Sequence, residues 1–331
     1  YIISLDNLLE AWQEFIKGKR SRKDVQEFEL NLMANILDLH KELRDKTYRH
    51  SDYHAFNISD PKSRNIHKAS VRDRLLHRAL YRQLYPFFDR IFIYDSYSCR
   101  IDKGTHKAIN QFRNFAYKVS QNHTKTVWIL KCDIKKFFAS IDHSVFKNII
   151  SNYIPDQDIK WLLWQVIDSF ETSPDKGLPL GNLTSQLLVN VYMNVFDQYM
   201  KHKLKVRYYI RYADDFAIFS DDKHYLEKML AKIDLFLREK FKLNLHPNKV
   251  SISTLASGVD FLGWVHFVDH RVLRSVSKRR IFVNIRLAKE KLDQELITEY
   301  SFNQTLQSYY GILKHCQGHK LSLEIEFLVK R

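Results

Sequence analysis

Apolar residues recur along this chain mostly at helical spacing. Residues 5–16 carry Leu5, Leu8, Leu9, Trp12, Phe15 and Ile16, a pattern that predicts an amphipathic helix. Residues 24–43 repeat it, with Val25, Phe28, Leu32, Ile36 and Leu39 on one face. Ser70-Val71-Arg72-Asp73-Arg74 opens a helix that runs to about residue 85, with Pro86 as its end or a kink. Further helices are predicted over 107–119, 143–153, 158–170, 184–203, 224–241, 278–296 and 302–316. Strand signals are shorter. Asp60-Pro61 marks a turn before a strand over 62–67, and Val127-Trp128-Ile129-Leu130 reads as a buried strand. Residues 206–211 and 216–219 read as the arms of a hairpin, and 252–268 is β-rich, punctuated by Gly258 and Gly263. The mixture lacks a regular βαβ alternation, so the expected class is α+β.

Composition narrows the function classes. The 331 residues are 45% hydrophobic, which suits a globular chain with a sizeable core. A formal net charge of +15 points to a polyanionic partner, nucleic acid or an acidic membrane surface. No apolar run reaches the length of a membrane span, and no leader pattern of a signal peptide is visible, so a cytoplasmic protein is expected. Cys99, Cys132 and Cys316 are too scattered for a disulfide framework or a zinc site. The eight glycines and six prolines leave little room for flexible linkers. The basic run Lys17-Gly18-Lys19-Arg20-Ser21-Arg22-Lys23 is either a solvated loop or a nucleic-acid contact.

Two acidic features carry candidate chemistry. Tyr212-Ala213-Asp214-Asp215 stands at the tip of the predicted hairpin. Adjacent carboxylates repel one another unless a cation compensates them. Alone, the pair is equally a solvated turn. Asp133, however, ends the apolar strand that begins at Val127, where a carboxylate needs a partner or a metal. Two strands delivering Asp133 and Asp214/Asp215 to one point would form a clamp for two hard cations such as Mg²⁺. Asp142 reads instead as the cap of the helix that starts near His143.

These residues carry a resemblance. Asp133-Ile134-Lys135-Lys136-Phe137-Phe138-Ala139-Ser140-Ile141-Asp142 resembles the first catalytic motif of reverse transcriptases, and Tyr212-Ala213-Asp214-Asp215 the second. Gly177-Leu178-Pro179-Leu180-Gly181-Asn182-Leu183-Thr184-Ser185-Gln186 resembles the nucleotide-binding motif between them. The order and spacing match, and the likeness runs from about residue 60 to the C-terminus. It implies an RNA-directed DNA polymerase with a right-hand fold. The layout would be an N-terminal helical extension over 1–59 and fingers over 60–126 with help from 150–176. A palm of antiparallel sheet plus helices would span 127–149 and 177–268, and a helical thumb 269–331.

The same resemblance implies roles. Asp133, Asp214 and Asp215, with the carbonyl of Ile134, would hold two Mg²⁺ ions, with Mn²⁺ as a substitute. Phe138 would be the steric gate against a ribose 2′-hydroxyl, while one of Phe137 and Phe138 is ordinary core. Lys62 and Arg64 would grip the triphosphate of the dNTP, with Arg72, Arg100, Leu180, Gly181 and Gln186 also at the nucleotide. Asp73 between Arg72 and Arg74 is alternatively a local ion-pair network. Lys249 would be a general acid near the pyrophosphate, or a surface lysine. Phe261, Leu262 and Gly263 resemble the primer grip. Lys278, Arg279, Arg280, Arg286 and Lys289 would track duplex phosphates, or form a solvated helix face.

Leu180, where most members carry Gln, and Gln186, where most carry Pro, resemble the reverse transcriptases of diversity-generating retroelements. Those enzymes misincorporate opposite template adenines. The resemblance then implies template RNA, cDNA and the RNA–DNA duplex, dNTPs and a small basic accessory-protein oligomer as partners, with no membrane. Group II intron-like, defence-linked and CRISPR-linked reverse transcriptases are the alternatives within the family, while the RNA-recognition signatures of a retron enzyme are not found. A catalytically idle RNA-binding protein and a two-metal nuclease are those outside it.

Overall fold

Helix α1 (Leu5–Phe15) starts where the Ser4 hydroxyl accepts from the Asn7 N–H, and it buries Leu8, Ala11, Trp12 and Phe15. The single helix predicted over 24–43 is two in the computed structural model, α2 (Lys23–Leu30) and α3 (Leu32–Arg44). Asn31 breaks it with φ −118° and ψ 36°, and Phe28 of α2 packs on Trp12 of α1 with ring centroids 5.3 Å apart. The structure describes residues 1–59 and 63–330. The predicted Asp60-Pro61 turn and the candidate cation Lys62 therefore lie outside the described residues.

Strands β1 (His54–Ile58) and β2 (Arg64–Lys68) pair antiparallel, with Phe56 opposite Ile66. Helix α4 (Val71–Asp89), capped by Ser70, continues through Pro86 for its last turn. A proline there forfeits one hydrogen bond at a helix end, where the ladder is running out in any case. Helices α5 (Thr105–Val119), α6 (Phe137–Ser140), α7 (His143–Tyr153), α8 (Gln157–Ile167) and α9 (Leu183–Gln198) follow, with β3 (Trp128–Asp133) between α5 and α6. A π-helical turn, Tyr199–Lys203, extends α9. Strands β4 (Tyr209–Tyr212) and β5 (Asp215–Ser220) precede α10 (Lys223–Phe241). Then come β6 (Ser251–Thr254), β7 (Val259–Phe261), β8 (Trp264–His266) and β9 (Arg271–Leu273), and finally α11 (Ser275–Asp293), α12 (Glu299–Leu313) and α13 (His319–Lys330). The sheets are β1-β2, β4-β5-β3-β6 and β7-β8-β9, so the class is α+β.

The chain forms two compact units. The first comprises Tyr1–Asp102, Cys132–Phe216 and Ala231–Val250. Its core centres on α9, which is apolar nearly all round and buries Leu187, Leu188, Val191, Tyr192 and Phe196. Tyr192 packs edge-on against Phe146 and Phe241, and Phe196 against Phe216. Helix α1 is bound to α4 through Asn7, whose amide donates to the Ala79 carbonyl, and through Arg82, which pairs with Glu10 and Glu14.

The second unit comprises Lys103–Lys131, Ala217–Leu230 and Ser251–Arg331. There Trp128 to Lys131 of β3 pair antiparallel with β6. Phe112 of α5 stacks on Phe261 at 5.0 Å and meets Phe219 edge-on at 4.7 Å. No helix among the described residues is long and apolar enough to cross a membrane.

Candidate active site

Strand β3 buries Ile129 and Leu130 completely and surfaces at Asp133, whose side chain is 17% exposed. Three backbone hydrogen bonds then clamp the chain. His246 N–H donates to the Asp133 carbonyl (2.8 Å), Ile134 N–H to the Asp214 carbonyl (3.3 Å) and Lys135 N–H to the Asn244 carbonyl (2.9 Å). The end of β3 is thus held between the 212–215 turn and the 244–246 segment, all within the first unit. The second segment also delivers Lys249, whose Nζ lies 2.8 Å from Asp133 Oδ1.

The turn between β4 and β5 consists of Ala213 and Asp214, and Ala213 has a φ of +55°. A left-handed residue with a Cβ costs energy, so surrounding structure has to hold it. Burial lifts the Asp214 carboxyl above its ordinary value. The negative charge of Asp133 adds to that rise, and its own backbone N–H, Lys249 and Arg64 oppose it. The Asp133 charge thus acts on Asp214, and a cation beside the two carboxylates would offset it. Among the described residues, no group of three or more His, Cys, Asp or Glu side chains is gathered to hold a metal by itself. Mg²⁺ takes one or two carboxylates and completes its shell with substrate phosphates and water.

The nucleotide motif faces strand β2. His67 N–H donates to the Leu180 carbonyl (3.1 Å), and the Asn182 amide donates to the His67 carbonyl (2.9 Å). Gly181 has a φ of +104°, and a Cβ on it would lie 2.9 Å from Ile66 Cγ2. Only glycine meets both demands without strain. Arg64 begins β2, and its charge reaches Asp214. Gln186 sits exposed in the first turns of α9. Phe137 and Phe138 occupy the helical turn α6 rather than a strand. Phe137 is 2% exposed and belongs to the core, and Phe138 is half-buried.

Two arginines expected at the nucleotide are engaged within the protein instead. Arg100 donates to Asp89 Oδ1 (2.7 Å) and to the carbonyls of Ile93 (2.7 Å), Ser96 (3.0 Å) and Asp89 (3.4 Å). Its side chain is 6% exposed, so it locks a loop. Arg72 pairs with Glu42, donates to the Arg49 carbonyl (3.2 Å) and lies over the Tyr48 ring. Asp73 accepts from Tyr48, Ser70 and Ser51, and Arg74 pairs with Asp24, so the local-network alternative holds for that segment. Asp142 caps α7 as expected, accepting from the Val145 N–H (3.0 Å).

In the second unit, Phe261 is fully buried against Phe112, while Leu262 and Gly263 form the tip of the β7-β8 hairpin with φ of +52° and +93°. Positive φ at both central residues is the signature of a type I′ hairpin turn. Of the three expected at the primer, Phe261 is core. On α11, Lys278 pairs with Glu324 and Lys289 donates to the Val329 carbonyl.

The buried pair Arg211–Asp197, with an Nη2–Oδ2 distance of 2.6 Å and both side chains fully buried, was not among the expected site residues. The signal was present: Asp197 is the one charge in the apolar run of α9, and Arg211 the one charge in β4.

Comparison with known proteins accords with this geometry. The chain is 25% identical over 258 residues to protein YkfC of Escherichia coli, covering 66% of each chain. It is 21% identical over 314 residues to the group II intron-encoded protein LtrA of Lactococcus lactis, covering 72% of this chain and 50% of that one. It is 25% identical over 213 residues to the retron Ec73 reverse transcriptase of Escherichia coli, covering 59% and 64%. The chain therefore spans about half to two thirds of the length of these relatives. Among solved structures, apo telomerase from Candida Tropicalis truncated from its C-terminal domain shares the fold, with a TM-score of 0.50 and 11% identity over 73% of this chain and 60% of that one. Residues 58–266, well over half of the chain, match the family described as reverse transcriptase (RNA-dependent DNA polymerase), and the chain belongs to that family.

Proposed function

We propose that this chain is an RNA-directed DNA polymerase that copies a template RNA into cDNA by two-metal phosphoryl transfer. The carrying observation is the convergence, within one unit, of Asp133 at the end of β3 with the Asp214/Asp215 turn and with Lys249. Family membership supports the reaction class. Asp133, Asp214 and Asp215, with the Ile134 carbonyl, would hold two Mg²⁺ ions, with Mn²⁺ as a substitute. Bound there, the ions supply Lewis-acid activation of the primer 3′-hydroxyl and charge neutralisation at the triphosphate. Arg64 attracts the triphosphate, with Lys62 beside it in sequence, and Leu180, Gly181 and Gln186 border the incoming nucleotide. Phe138 excludes a 2′-hydroxyl, and Lys249 gives a proton to the leaving pyrophosphate. The hairpin tip at Leu262 and Gly263 approaches the primer, and the basic face of α11 tracks duplex phosphates. The proposed layout is the extension, fingers, palm and thumb set out above.

The finer reading is a diversity-generating retroelement enzyme, error-prone at template adenines and partnered by a small basic accessory-protein oligomer in a bacterial or phage cytoplasm. Leu180 and Gln186 support it. Leu180 lacks the amide that a Gln would offer to the incoming nucleotide, so a hydrogen-bonded check on pairing is absent. A group II intron-like or retron enzyme is the second reading, favoured by relatives of those kinds.

Primer extension on an RNA template with dNTPs and Mg²⁺, comparing the wild type with Asp214→Asn/Asp215→Asn and sequencing the cDNA, tests both levels. Synthesis by the wild type that is lost in the double variant is expected. Errors concentrated opposite adenines favour the retroelement reading, and accurate copying favours the second. RNA binding without incorporation in Mg²⁺ or Mn²⁺ would replace the enzyme with an idle RNA-binding protein.

A further inference from the structure

Arg211 stands two positions before the Ala213-Asp214 turn and is fully buried. A guanidinium has five N–H donors in a fixed fork. All five are engaged here. Nε donates to Asp197 Oδ1 (2.8 Å) and Nη2 to Asp197 Oδ2 (2.6 Å). Nη2 also donates to Ser96 Oγ (3.2 Å). Nη1 donates to the Ala213 carbonyl (3.1 Å) and to Asn190 Oδ1 (3.4 Å). Asp197 is itself fixed, since its Oδ1 accepts from the Tyr209 hydroxyl (2.7 Å). The backbone of Arg211 is tied as well, its N–H to the Asp95 carbonyl (3.0 Å) and its carbonyl to the Tyr97 N–H (3.0 Å).

A buried ion pair is weak evidence of stabilisation, because desolvation offsets much of the attraction. Its value lies in direction. Four of the five donors brace the guanidinium on α9 and on the Ser96 loop, and the fifth reaches the central peptide of the acidic turn. That peptide carbonyl belongs to Ala213, the left-handed residue. The next residue, Asp214, offers its own carbonyl to the Ile134 N–H beside Asp133.

We propose that Arg211, braced by Asp197, is a positioning residue for the acidic turn: it holds the Ala213 carbonyl, keeps the left-handed turn in one conformation and so sets Asp214 and Asp215 against Asp133. The assignment of those aspartates to metal binding rests on the polymerase reading above, whereas the hold on the turn does not. A lysine keeps the positive charge for Asp197 but cannot reproduce the fork, so charge and direction can be separated.

The test compares the wild type, Arg211→Lys and Asp214→Asn/Asp215→Asn in the full chain. Amide hydrogen exchange over residues 212–215 without metal or substrate is measured first, then Mn²⁺ affinity by paramagnetic resonance, then kcat together with KM for the primer–template. In folded Arg211→Lys, exchange in the turn is expected to accelerate about tenfold or more while α9 stays protected. Mn²⁺ binding should weaken about tenfold, and kcat should fall about 10- to 100-fold with KM for the primer–template unchanged. If Arg211→Lys does not fold, Arg211→Gln/Asp197→Asn removes both buried charges and is read in the same way. Turn exchange, Mn²⁺ affinity and kcat all at wild-type values in a folded variant would overturn the proposal. If the wild type neither binds Mn²⁺ nor extends a primer, the polymerase reading fails, and the exchange rates alone still decide whether Arg211 holds the turn.

Discussion

Lys249 places its ammonium 2.8 Å from Asp133 Oδ1, although residues 133 and 249 are 116 positions apart. The contact follows from the His246 N–H bond to the Asp133 carbonyl, which pins the start of the Lys249 loop to the end of β3. The lysine side chain is 42% exposed, so the pair adds little to stability. It does occupy a carboxylate oxygen that a metal ion would use.

Replacing Lys249 with Met therefore separates two effects. The competing cation is gone, so Mn²⁺ should bind the free protein more tightly. The proposed proton donor is gone too, so turnover should fall about 10²-fold or more. The melting temperature should move by no more than about 2 °C. Paramagnetic titration and single-turnover extension check the pair of signs. Unchanged turnover would make Lys249 a surface lysine that happens to rest on Asp133.

Phe137 and Phe138 are adjacent yet should respond in opposite ways. Phe137 is core, so Phe137→Ala should cost about 3–5 kcal/mol of stability. Phe138 is half-buried, so Phe138→Ala should keep a near-native melting temperature and admit ribonucleotides. Urea melts and competition between a dNTP and its rNTP read the two outcomes. A Phe138→Ala protein that still rejects rNTPs would move the gate elsewhere.

What was legible in the chain, and what was not, follows from how far each signal reaches. The meeting of Asp133 with the Asp214/Asp215 turn was legible because acids at the ends of apolar strands need a reason that local structure does not supply. The cap at Asp142 is local chemistry and was read correctly. Asn31 breaks a continuous apolar stripe, and a stripe gives no notice of such a break. Arg72 and Arg100 look in sequence like free cations near a nucleotide. Their partners Glu42 and Asp89 stand 30 and 11 residues away, and only the fold brings them in. Strand β1 is exposed on every residue, so it carries no burial pattern to read. Helix α13 buries only Ile325 among its residues, and its pattern is correspondingly faint.

Gly181 gives a test of how the nucleotide motif is docked. Gly181→Ala would put a methyl group against Ile66 Cγ2 and strain a φ of +104°. A cost of about 1–3 kcal/mol is expected, felt where β2 meets the motif. KM for dNTP should rise several-fold while Mn²⁺ affinity stays unchanged. Adding Ile66→Ala should relieve the clash and leave the φ strain, so recovery should be partial. Full recovery would mean that contact alone demands the glycine.

Acid should destabilise the fold well before the carboxylates titrate. Burial drives His77 down to about 3 from an ordinary 6.5, helped by the charges of His50 and Arg74 and opposed by Asp73. His266 is likewise lowered to about 3, by burial first and then by Arg271 and Arg113. Both are neutral when folded, and both bind a proton when unfolded below pH ~6.5. Their contribution is therefore complete above that pH and declines as pH falls through the window from about 6.5 to about 3. Each would withdraw about 2 kcal/mol by pH 5. Asp142, held near 2 against the opposing effect of burial by hydrogen bonds from Lys242, Ser144 and the Val145 N–H, adds its loss only below about pH 4. Urea melts at pH 7.5, 6 and 5 should show monotonic loss, and His77→Phe should flatten the slope even if it lowers the stability at pH 7.5. A stability independent of pH between 7.5 and 5 would mean that both rings take up their protons within the fold, and hence that water reaches them.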